Sequence, residues 1–148
     1  MGDDFDRWLE EATPRLRRAF AGVRGPEDAA DAVAEALAYA WQHWDRVATM
    51  ENSVGYAFRV GQSRTKARKR PTLPRPEAVG LPDFEPRLVP ALLELSGPQR
   101  TAVWLVHACQ WRHAEVAEAM GISPSTVATH VSRGLTSLRQ HLEVRTNA

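Results

Sequence analysis

The stretch from residue 113 to residue 139 limits the possible folds of this chain more than any other, because it reads as two helices joined by a sharp turn. Apolar residues at three-to-four spacing mark the first helix, and Gly121 supplies the left-handed residue that ends it. Ser123 can cap the following helix, and Pro124 suits its first position. The pattern predicts a helix-turn-helix whose second helix enters the major groove of DNA, with a plain helical hairpin as the alternative.

The second helix of this motif has one apolar side and one polar side. Val127, Val131, Gly134 and Leu138 predict the buried side. The other side predicts a face that reads DNA, and it carries Ser125, Thr129 and Ser132 with Thr126 and Arg133 along one flank.

Helical periodicity recurs along the 148 residues, whereas runs that alternate like strands are almost absent. Hydrophobic residues make up 43% of the chain, enough to bury small cores, so we expect an all-α fold with two small helical domains. No apolar run approaches the roughly twenty residues of a membrane span, and the acidic start is unlike a signal peptide. We therefore expect a cytoplasmic protein whose single cysteine, Cys109, is buried in packing.

The N-terminal third predicts three helices. The first two cover residues 5–12 and 15–23 and are separated at Thr13-Pro14, while Pro26 begins the third. That third segment is the most strongly patterned, and its buried face is predicted to hold Val33, Leu37, Ala40, Trp44 and Val47. The opposite face carries Asp31, Glu35, Ala38 and Gln42, which are either an interaction surface or solvated surface only.

Residues 53–76 contain no acidic residue. They hold seven basic ones, namely Arg59, Arg64, Lys66, Arg68, Lys69, Arg70 and Arg75. Such an excess of positive charge favours a polyanionic partner. We expect a helix capped by Ser53 and running towards Arg70, with a stripe of Arg59, Gln62, Lys66 and Arg70 that could follow a phosphate backbone. Tyr56 and Phe58 are expected in the core, and stacking on an unpaired base is the alternative.

Six prolines between residues 71 and 90 interrupt the helical pattern and predict an extended linker. We therefore expect domains at 1–70 and 87–148, separated by a proline-rich linker at 71–86. In the second domain, a short helix over 88–95 precedes a helix capped by Ser96, and the apolar run 102–109 is its expected centre. Trp104 and Trp111 are expected to pack within this domain.

The sequence offers no recognisable catalytic site. His107 and Cys109 lie about 200° apart around a helix and cannot share a face, so a zinc site is not expected. There is no phosphate-binding glycine loop, and Glu115 and Glu118 look like an exposed helix face. We predict no enzyme activity, no metal and no cofactor.

The order of these features resembles that of bacterial RNA polymerase sigma factors of the extracytoplasmic-function group, in the sigma-70 family. Residues 27–47 look like conserved region two of that family, and residues 95–139 look like region four. The resemblance implies a factor that binds core RNA polymerase at its clamp and flap regions and recognises promoter DNA. An inhibitor protein, an anti-sigma factor, is a further partner that the family suggests.

The resemblance also implies a role for each face. Contacts to the polymerase would come from Asp31, Ala34, Glu35, Ala38 and Gln42. Contacts to the downstream promoter element would come from Asn52, Ser53, Tyr56, Arg59, Gln62, Ser63, Lys66 and Arg70. Contacts to the upstream element would come from Ser125, Thr126, Thr129, His130 and Arg133.

The chain departs from the family's usual pattern at three positions. Members usually carry glutamine where Ala34 stands, asparagine where Ser63 stands and a small capping residue where Arg112 stands. Two alternative functions stay open at this point. One is a dimeric stand-alone helix-turn-helix regulator, and the other is a sigma-like interaction protein that does not initiate transcription.

Overall fold

The computed structural model describes residues 2–65 and 88–147, and over these residues the chain forms eight α-helices and one π-helical segment. In chain order they are α1 (Gly2–Arg24), α2 (Pro26–Gln42), α3 (Trp44–Val47), α4 (Ser53–Arg64), α5 (Leu88–Leu93), α6 (Gly97–Val103), the π segment (Trp104–Ala108), α7 (His113–Met120) and α8 (Pro124–Asn147). No strand occurs in the two described ranges, and the predicted all-α fold is confirmed. Lys66, Arg70 and the predicted linker 71–86 lie outside the described residues.

Helix α1 is continuous where the sequence predicted two helices. Pro14 lies inside it, although proline removes one backbone hydrogen bond from a helix. Ala12 and Leu16, on either side of the proline, are both fully buried. The prediction of a break at Thr13-Pro14 was wrong, because the apolar face of α1 continues across the proline and packs against α2.

Helix α2 begins as predicted and ends earlier than predicted. Gly25 precedes it with a φ of 85°, and Pro26 occupies its first turn. The helix stops at Gln42, and α3 follows as a separate turn after His43. Trp44 and Val47 remain buried, because α3 places them in a cluster with Phe5, Tyr39 and Ala40.

The start of α4 also differs from the prediction. Asn52, rather than Ser53, is the capping residue, and its Oδ1 accepts a hydrogen bond of 3.1 Å from the backbone N–H of Gly55. Ser53 is the first helical residue, and its hydroxyl oxygen accepts a hydrogen bond of 2.8 Å from Trp8 Nε1. This long-range bond ties the entry of α4 to α1.

The helix-turn-helix has the predicted form. Helix α7 ends at Gly121, whose φ of 70° lies in the left-handed region, and the Ser123 hydroxyl oxygen caps α8 by accepting from the backbone N–H of Thr126 at 3.1 Å. Val127 and Val131 of α8 are buried, as is Gly134. The buried side of the second helix is therefore confirmed.

The largest core cluster joins the two ends of the chain. It combines Phe20 and Phe58 from the N-terminal helices with Trp104, Val116 and Val127 from the C-terminal ones. The division into domains at 1–70 and 87–148 stays a prediction, because both parts contribute to this one cluster.

The two tryptophans of the C-terminal half were expected to pack within it, and instead they bridge to the N-terminal half. Trp104 Nε1 donates a hydrogen bond of 3.1 Å to the backbone oxygen of Arg18. The Trp111 ring meets Phe58 edge-on, with 5.6 Å between ring centroids. Large aromatic rings bury more surface than one small helical unit can cover, which explains why both tryptophans pack against the N-terminal helices as well.

Candidate nucleic-acid interface

The outward side of α8 presents the residues predicted to read DNA. Ser125, Thr126, Thr129 and Arg133 are exposed, and His130 is half-buried. Their side chains lie opposite the buried Val127 and Val131 on the same helix. A helix with a buried apolar side and an exposed polar side can enter a groove without losing its own packing.

Hydroxyl groups crowd the first turn of this helix. The Ser123 hydroxyl lies 3.0 Å from the Ser125 hydroxyl and 2.8 Å from that of Thr126, and the Thr129 hydroxyl donates to the backbone oxygen of Ser125 at 3.1 Å. Each hydroxyl can both donate and accept, so it can still bond to a base edge or a phosphate oxygen. Arg133 adds the guanidinium fork that suits guanine or phosphate.

The predicted downstream residues begin at the entry of α4, where Asn52 contacts α7. Asn52 uses both ends of its amide, because its Nδ2 also donates a hydrogen bond of 3.2 Å to the backbone oxygen of Glu115. Arg59 lies further along α4 and is exposed, and its guanidinium lies against Gly121 of the helix-turn-helix. These contacts bring the start of α4 and the recognition motif together.

Further along α4, Gln62 is held by α1. Arg24 donates from Nε to Gln62 Oε1 at 2.6 Å and from a terminal nitrogen to the Gln62 backbone oxygen at 2.6 Å, and it also donates to the backbone oxygen of Thr65. Ser63 is exposed, and its hydroxyl donates to the Val60 backbone oxygen at 3.0 Å. The end of α4 is thus fixed in place by a partly buried guanidinium.

The two aromatic residues of α4 have different environments. Phe58 is 1% exposed and stacks on Phe20 with 4.6 Å between ring centroids, so its predicted core position is confirmed. Tyr56 is half-buried beside Tyr39, and a hydrogen bond between them, together with burial, raises the pKa of the Tyr39 hydroxyl. Tyr56 is the aromatic residue of this helix that a base could reach.

Two open cavities flank Arg59. One of about 400 Å³ is lined by Met50, Glu51, Asn52, Tyr56, Arg59 and Glu118, and the other, of about 380 Å³, lies between α4, α6 and α7. The first brings together five side chains that follow α3 in the sequence with one from α7. It therefore combines residues that are distant in the sequence.

The outward side of α2 forms a second exposed face. Asp31, Ala34, Ala38 and Gln42 are exposed on it, and the half-buried Glu35 pairs with Arg64 of α4 at 3.7 Å. The face predicted for polymerase binding is therefore on the surface.

Trp41 is the residue of this face that the sequence interpretation treated only as a flank of the core. It is 54% exposed, the single large hydrophobic side chain so exposed among the described residues. It lies three residues after Ala38, on the same helical side, and its ring meets Phe5 edge-on at 4.9 Å. An exposed tryptophan in a polar face is typical of a protein contact. Only the folded structure could show that the Trp41 side chain is exposed.

The described residues contain neither a cluster of metal ligands nor a membrane-spanning helix. Within residues 2–65 and 88–147, no three His, Cys, Asp or Glu side chains come close enough to hold a metal ion. In the same part of the chain, no helix has the length and the apolar character needed to cross a membrane.

Known proteins are similar in sequence to this chain over almost its whole length. Residues 87–138 match the family described as sigma-70, region 4. An RNA polymerase sigma-E factor of Streptomyces antibioticus is 33% identical over 96% of this chain and 86% of its own length. One of Streptomyces avermitilis is also 33% identical, over 88% of this chain and 79% of its own length.

A solved structure shares the fold. It is that of the sigma factor RpoE in complex with the anti-sigma factor NepR from Bartonella quintana. The match has a TM-score of 0.72 at 23% identity and covers 95% of this chain and 98% of that one.

Proposed function

The chain belongs to the RNA polymerase sigma factors of the sigma-70 family, in the extracytoplasmic-function group, and we propose which of its faces carry out initiation. It is a transcription initiation factor that binds core RNA polymerase and promoter DNA. What remains to be assigned is the residue that makes each contact.

We assign the upstream promoter element to the outward side of α8. This assignment rests on the exposure of Ser125, Thr126, Thr129 and Arg133 next to the capped N-terminus of the second helix of a helix-turn-helix. His130 lies on the same helix and is half-buried. Hydroxyl and guanidinium groups at the start of a recognition helix can bond to base edges in the major groove.

We assign the downstream element to the entry of α4. Asn52, Ser53, Tyr56, Arg59, Gln62 and Ser63 would make this contact, joined by Lys66 and Arg70 beyond the described residues. Support comes from the half-buried Tyr56 ring beside the exposed Arg59 guanidinium. An aromatic ring next to a cation can hold an unpaired base together with its phosphate.

We assign polymerase docking to the outward side of α2. Asp31, Ala34, Glu35, Ala38 and Gln42 supply its polar part, and Trp41 supplies an apolar anchor. Tryptophan is enriched among the residues that dominate the binding energy of protein interfaces.

Three further points complete the proposal. The factor catalyses no bond chemistry of its own, it works in the cytoplasm beside its polymerase, and an anti-sigma factor regulates it. A stand-alone repressor is not favoured, because the sigma-E factors match 96% and 88% of the chain rather than the helix-turn-helix alone.

The direct test is co-purification with bacterial core RNA polymerase followed by run-off transcription on genomic fragments. We expect the chain to bind core and to start transcription from a subset of the fragments. A chain that binds core without starting transcription would support an interaction protein. A chain that binds neither core nor promoter would overturn the proposal.

Charge reversal of Asp31 and Glu35 to lysine tests the docking face. We expect this double variant to bind core at least about tenfold more weakly, because like charges juxtaposed at an interface cost several kcal/mol. The matched control reverses Glu10 and Glu11, which are exposed on α1 and change the net charge equally. Equal loss of binding in the two variants would remove the assignment to α2.

Arg133→Ala tests the reading face. With the polymerase holoenzyme, we expect discrimination of the upstream element to fall by about 1–3 kcal/mol if Arg133 makes a bidentate base contact. The measurement compares binding to fragments with the intact and the mutated element. Arg139→Ala is the control, since Arg139 is exposed six residues further along α8.

A further inference from the structure

Ser123 lies directly before α8 and is not among the residues assigned to the upstream element. Its backbone is held by its neighbours, because its carbonyl oxygen accepts a hydrogen bond of 3.0 Å from the backbone N–H of Val127 and Pro124 restricts its conformation. Its hydroxyl oxygen accepts a second hydrogen bond, from the backbone N–H of Thr126 at 3.1 Å. The hydroxyl therefore has one lone pair and one proton left for other partners.

Two residues of the reading face lie within hydrogen-bond distance of these remaining sites. The Ser123 hydroxyl oxygen is 3.0 Å from the Ser125 hydroxyl oxygen and 2.8 Å from that of Thr126. Both distances are those of O–H···O hydrogen bonds. Because Ser123 has a single proton, it donates to one of the two hydroxyls and accepts from the other.

The Ser125 and Thr126 hydroxyls consequently face DNA with opposite polarity. The hydroxyl that donates to Ser123 has used its proton and offers only lone pairs, whereas the hydroxyl that accepts keeps its proton for a base. If the Ser123 proton changes direction, the two hydroxyls exchange roles together. While the network is intact, they do not both donate to DNA.

The next hydroxyl along this face also has a fixed polarity. Thr129 donates its proton to the backbone oxygen of Ser125 at 3.1 Å, so it offers lone pairs to DNA. Among the hydroxyls of Ser125, Thr126 and Thr129, one at a time can therefore donate to a base.

Purine edges in the major groove differ in the polarity that such a pair of hydroxyls matches. Adenine presents an acceptor at N7 beside a donor at N6, whereas guanine presents acceptors at both N7 and O6. One donating and one accepting hydroxyl match the adenine edge. Guanine would place an acceptor of the base against an acceptor of the protein, and both would remain unpaired.

We propose that Ser123 is a positioning residue for base specificity, which holds the Ser125 and Thr126 hydroxyls at opposite polarity and so makes α8 favour adenine over guanine at the base pair they contact. This inference rests on the proposed assignment of the upstream element to α8. Ser123 acts through its two neighbours rather than by contact with a base.

Ser123→Gly removes the hydroxyl and retains the start of the helix. Glycine is tolerated as an N-cap residue, so α8 still begins at Pro124. Without the Ser123 oxygen, the Ser125 and Thr126 hydroxyls rotate independently and can both donate to guanine. Ser123→Thr is the conservative variant, because threonine keeps a capping hydroxyl and the side chain at this position is exposed.

Ser123→Asp separates the polarity of the hydroxyls from the capping of the helix. Aspartate caps a helix as well as serine does, but its ionised carboxylate can only accept. Both neighbouring hydroxyls then donate to the carboxylate and offer only lone pairs to DNA, so guanine stays disfavoured. The added negative charge weakens binding to all DNA sequences, and ratios between sequences remove this effect.

Ser96→Gly is the matched control for loss of a serine cap. The Ser96 hydroxyl oxygen accepts a hydrogen bond of 3.3 Å from the backbone N–H of Gln99 at the start of α6. This variant therefore loses the same chemical group from a helix of the same half that does not carry the reading face.

The experiment uses each full-length variant bound to core RNA polymerase. The probe is the genomic fragment that the wild-type holoenzyme binds most tightly, with each base pair substituted in turn over an upstream segment of about ten base pairs. At each position we compare the ratio of the Kd for guanine to the Kd for adenine. The positions read by the hydroxyls are those at which Ser125→Ala changes this ratio.

At these positions we expect Ser123→Gly to lower the ratio by at least about fivefold, because guanine is no longer excluded. The ratio at all other positions should stay the same. Ser123→Thr, Ser123→Asp and Ser96→Gly should keep at least the wild-type preference for adenine.

Three results would overturn the inference. An unchanged ratio in Ser123→Gly would show that Ser123 does not control the hydroxyls, and an equal fall in Ser123→Gly and Ser123→Asp would show that only the cap matters. A ratio that Ser125→Ala changes nowhere would show that the hydroxyls read no base. Failure of the proposed function looks different, because the wild-type holoenzyme then has no upstream preference and Arg133→Ala changes nothing, and the inference fails with it.

Discussion

Glu115 makes more contacts between distant parts of the chain than its position on a short helix suggests. Its Oε1 accepts from the backbone N–H of Arg112 at 2.9 Å and from Arg112 Nε at 3.3 Å, while Oε2 faces Arg15. Burial alone would raise the pKa of this carboxyl, but the Arg112 hydrogen bonds and the two arginine charges outweigh it and lower the pKa. The charged form of Glu115 is therefore the stabilising one.

Glu115→Gln should make stability less dependent on pH. A carboxyl with a lowered pKa stabilises the folded state above its unfolded pKa, and this contribution disappears as pH falls through the folded pKa. We expect the variant to unfold more easily than the wild type by roughly 0.5–1 kcal/mol near neutral pH, with the difference shrinking as the pH falls through the lowered pKa of Glu115. Urea unfolding across this range measures it.

Glu118→Gln is the control for this prediction, because Glu118 is exposed on the same helix. A difference between wild type and Glu115→Gln that stays constant with pH would show that the loss of a carboxylate acceptor oxygen, rather than the loss of charge, is responsible.

At the scale of elements, the turn between α7 and α8 decides how the recognition helix is presented. Gly121 has a φ of 70°, and a side chain there would also crowd Arg59. The backbone N–H of Ile122 donates to the Ala117 backbone oxygen at 3.0 Å, and the Ser123 cap follows directly. The angle between the two helices is thus set by three consecutive residues.

Gly121→Ala should destabilise this turn by roughly 1–2 kcal/mol, because a residue with a Cβ is strained in the left-handed region. Urea unfolding measures the loss, and Gly97→Ala is the control, since nothing lies within 4 Å of a Cβ at that position. We expect the control to remain within about 0.5 kcal/mol of the wild type. Equal stability of all three proteins would mean that the turn adapts to alanine.

At the scale of the whole molecule, the shared core predicts cooperative unfolding. Phe20 and Phe58 lie in the same cluster as Trp104 and Val127, so exposing one half removes buried surface from the other. We expect helix content and tryptophan fluorescence of the wild type to change in a single coincident urea transition.

Gly22→Ala should divide this transition into two, because it separates the halves at Trp104 while each keeps its own helices. Gly134→Ala should lower the midpoint of one transition without dividing it. Two separate transitions in the wild type would contradict the shared core and would support independent domains at 1–70 and 87–148.

The sequence alone determined the features that depend on neighbours within a few residues. Gly121, Ser123 and Pro124 specify a helix end, a cap and a helix start, so the helix-turn-helix could be predicted in detail. The exposed side of α2 and the polar side of α8 follow from helical period in the same way.

Only the tertiary structure decided how the halves meet. The bonds from Asn52 to Glu115, from Trp104 to Arg18 and from Arg15 to Glu115 join residues 63, 86 and 100 positions apart. Periodicity within one helix reports which side is buried and not what covers it. For the same reason the break expected at Pro14 did not occur, because packing of a continuous α1 face outweighs the local preference of proline.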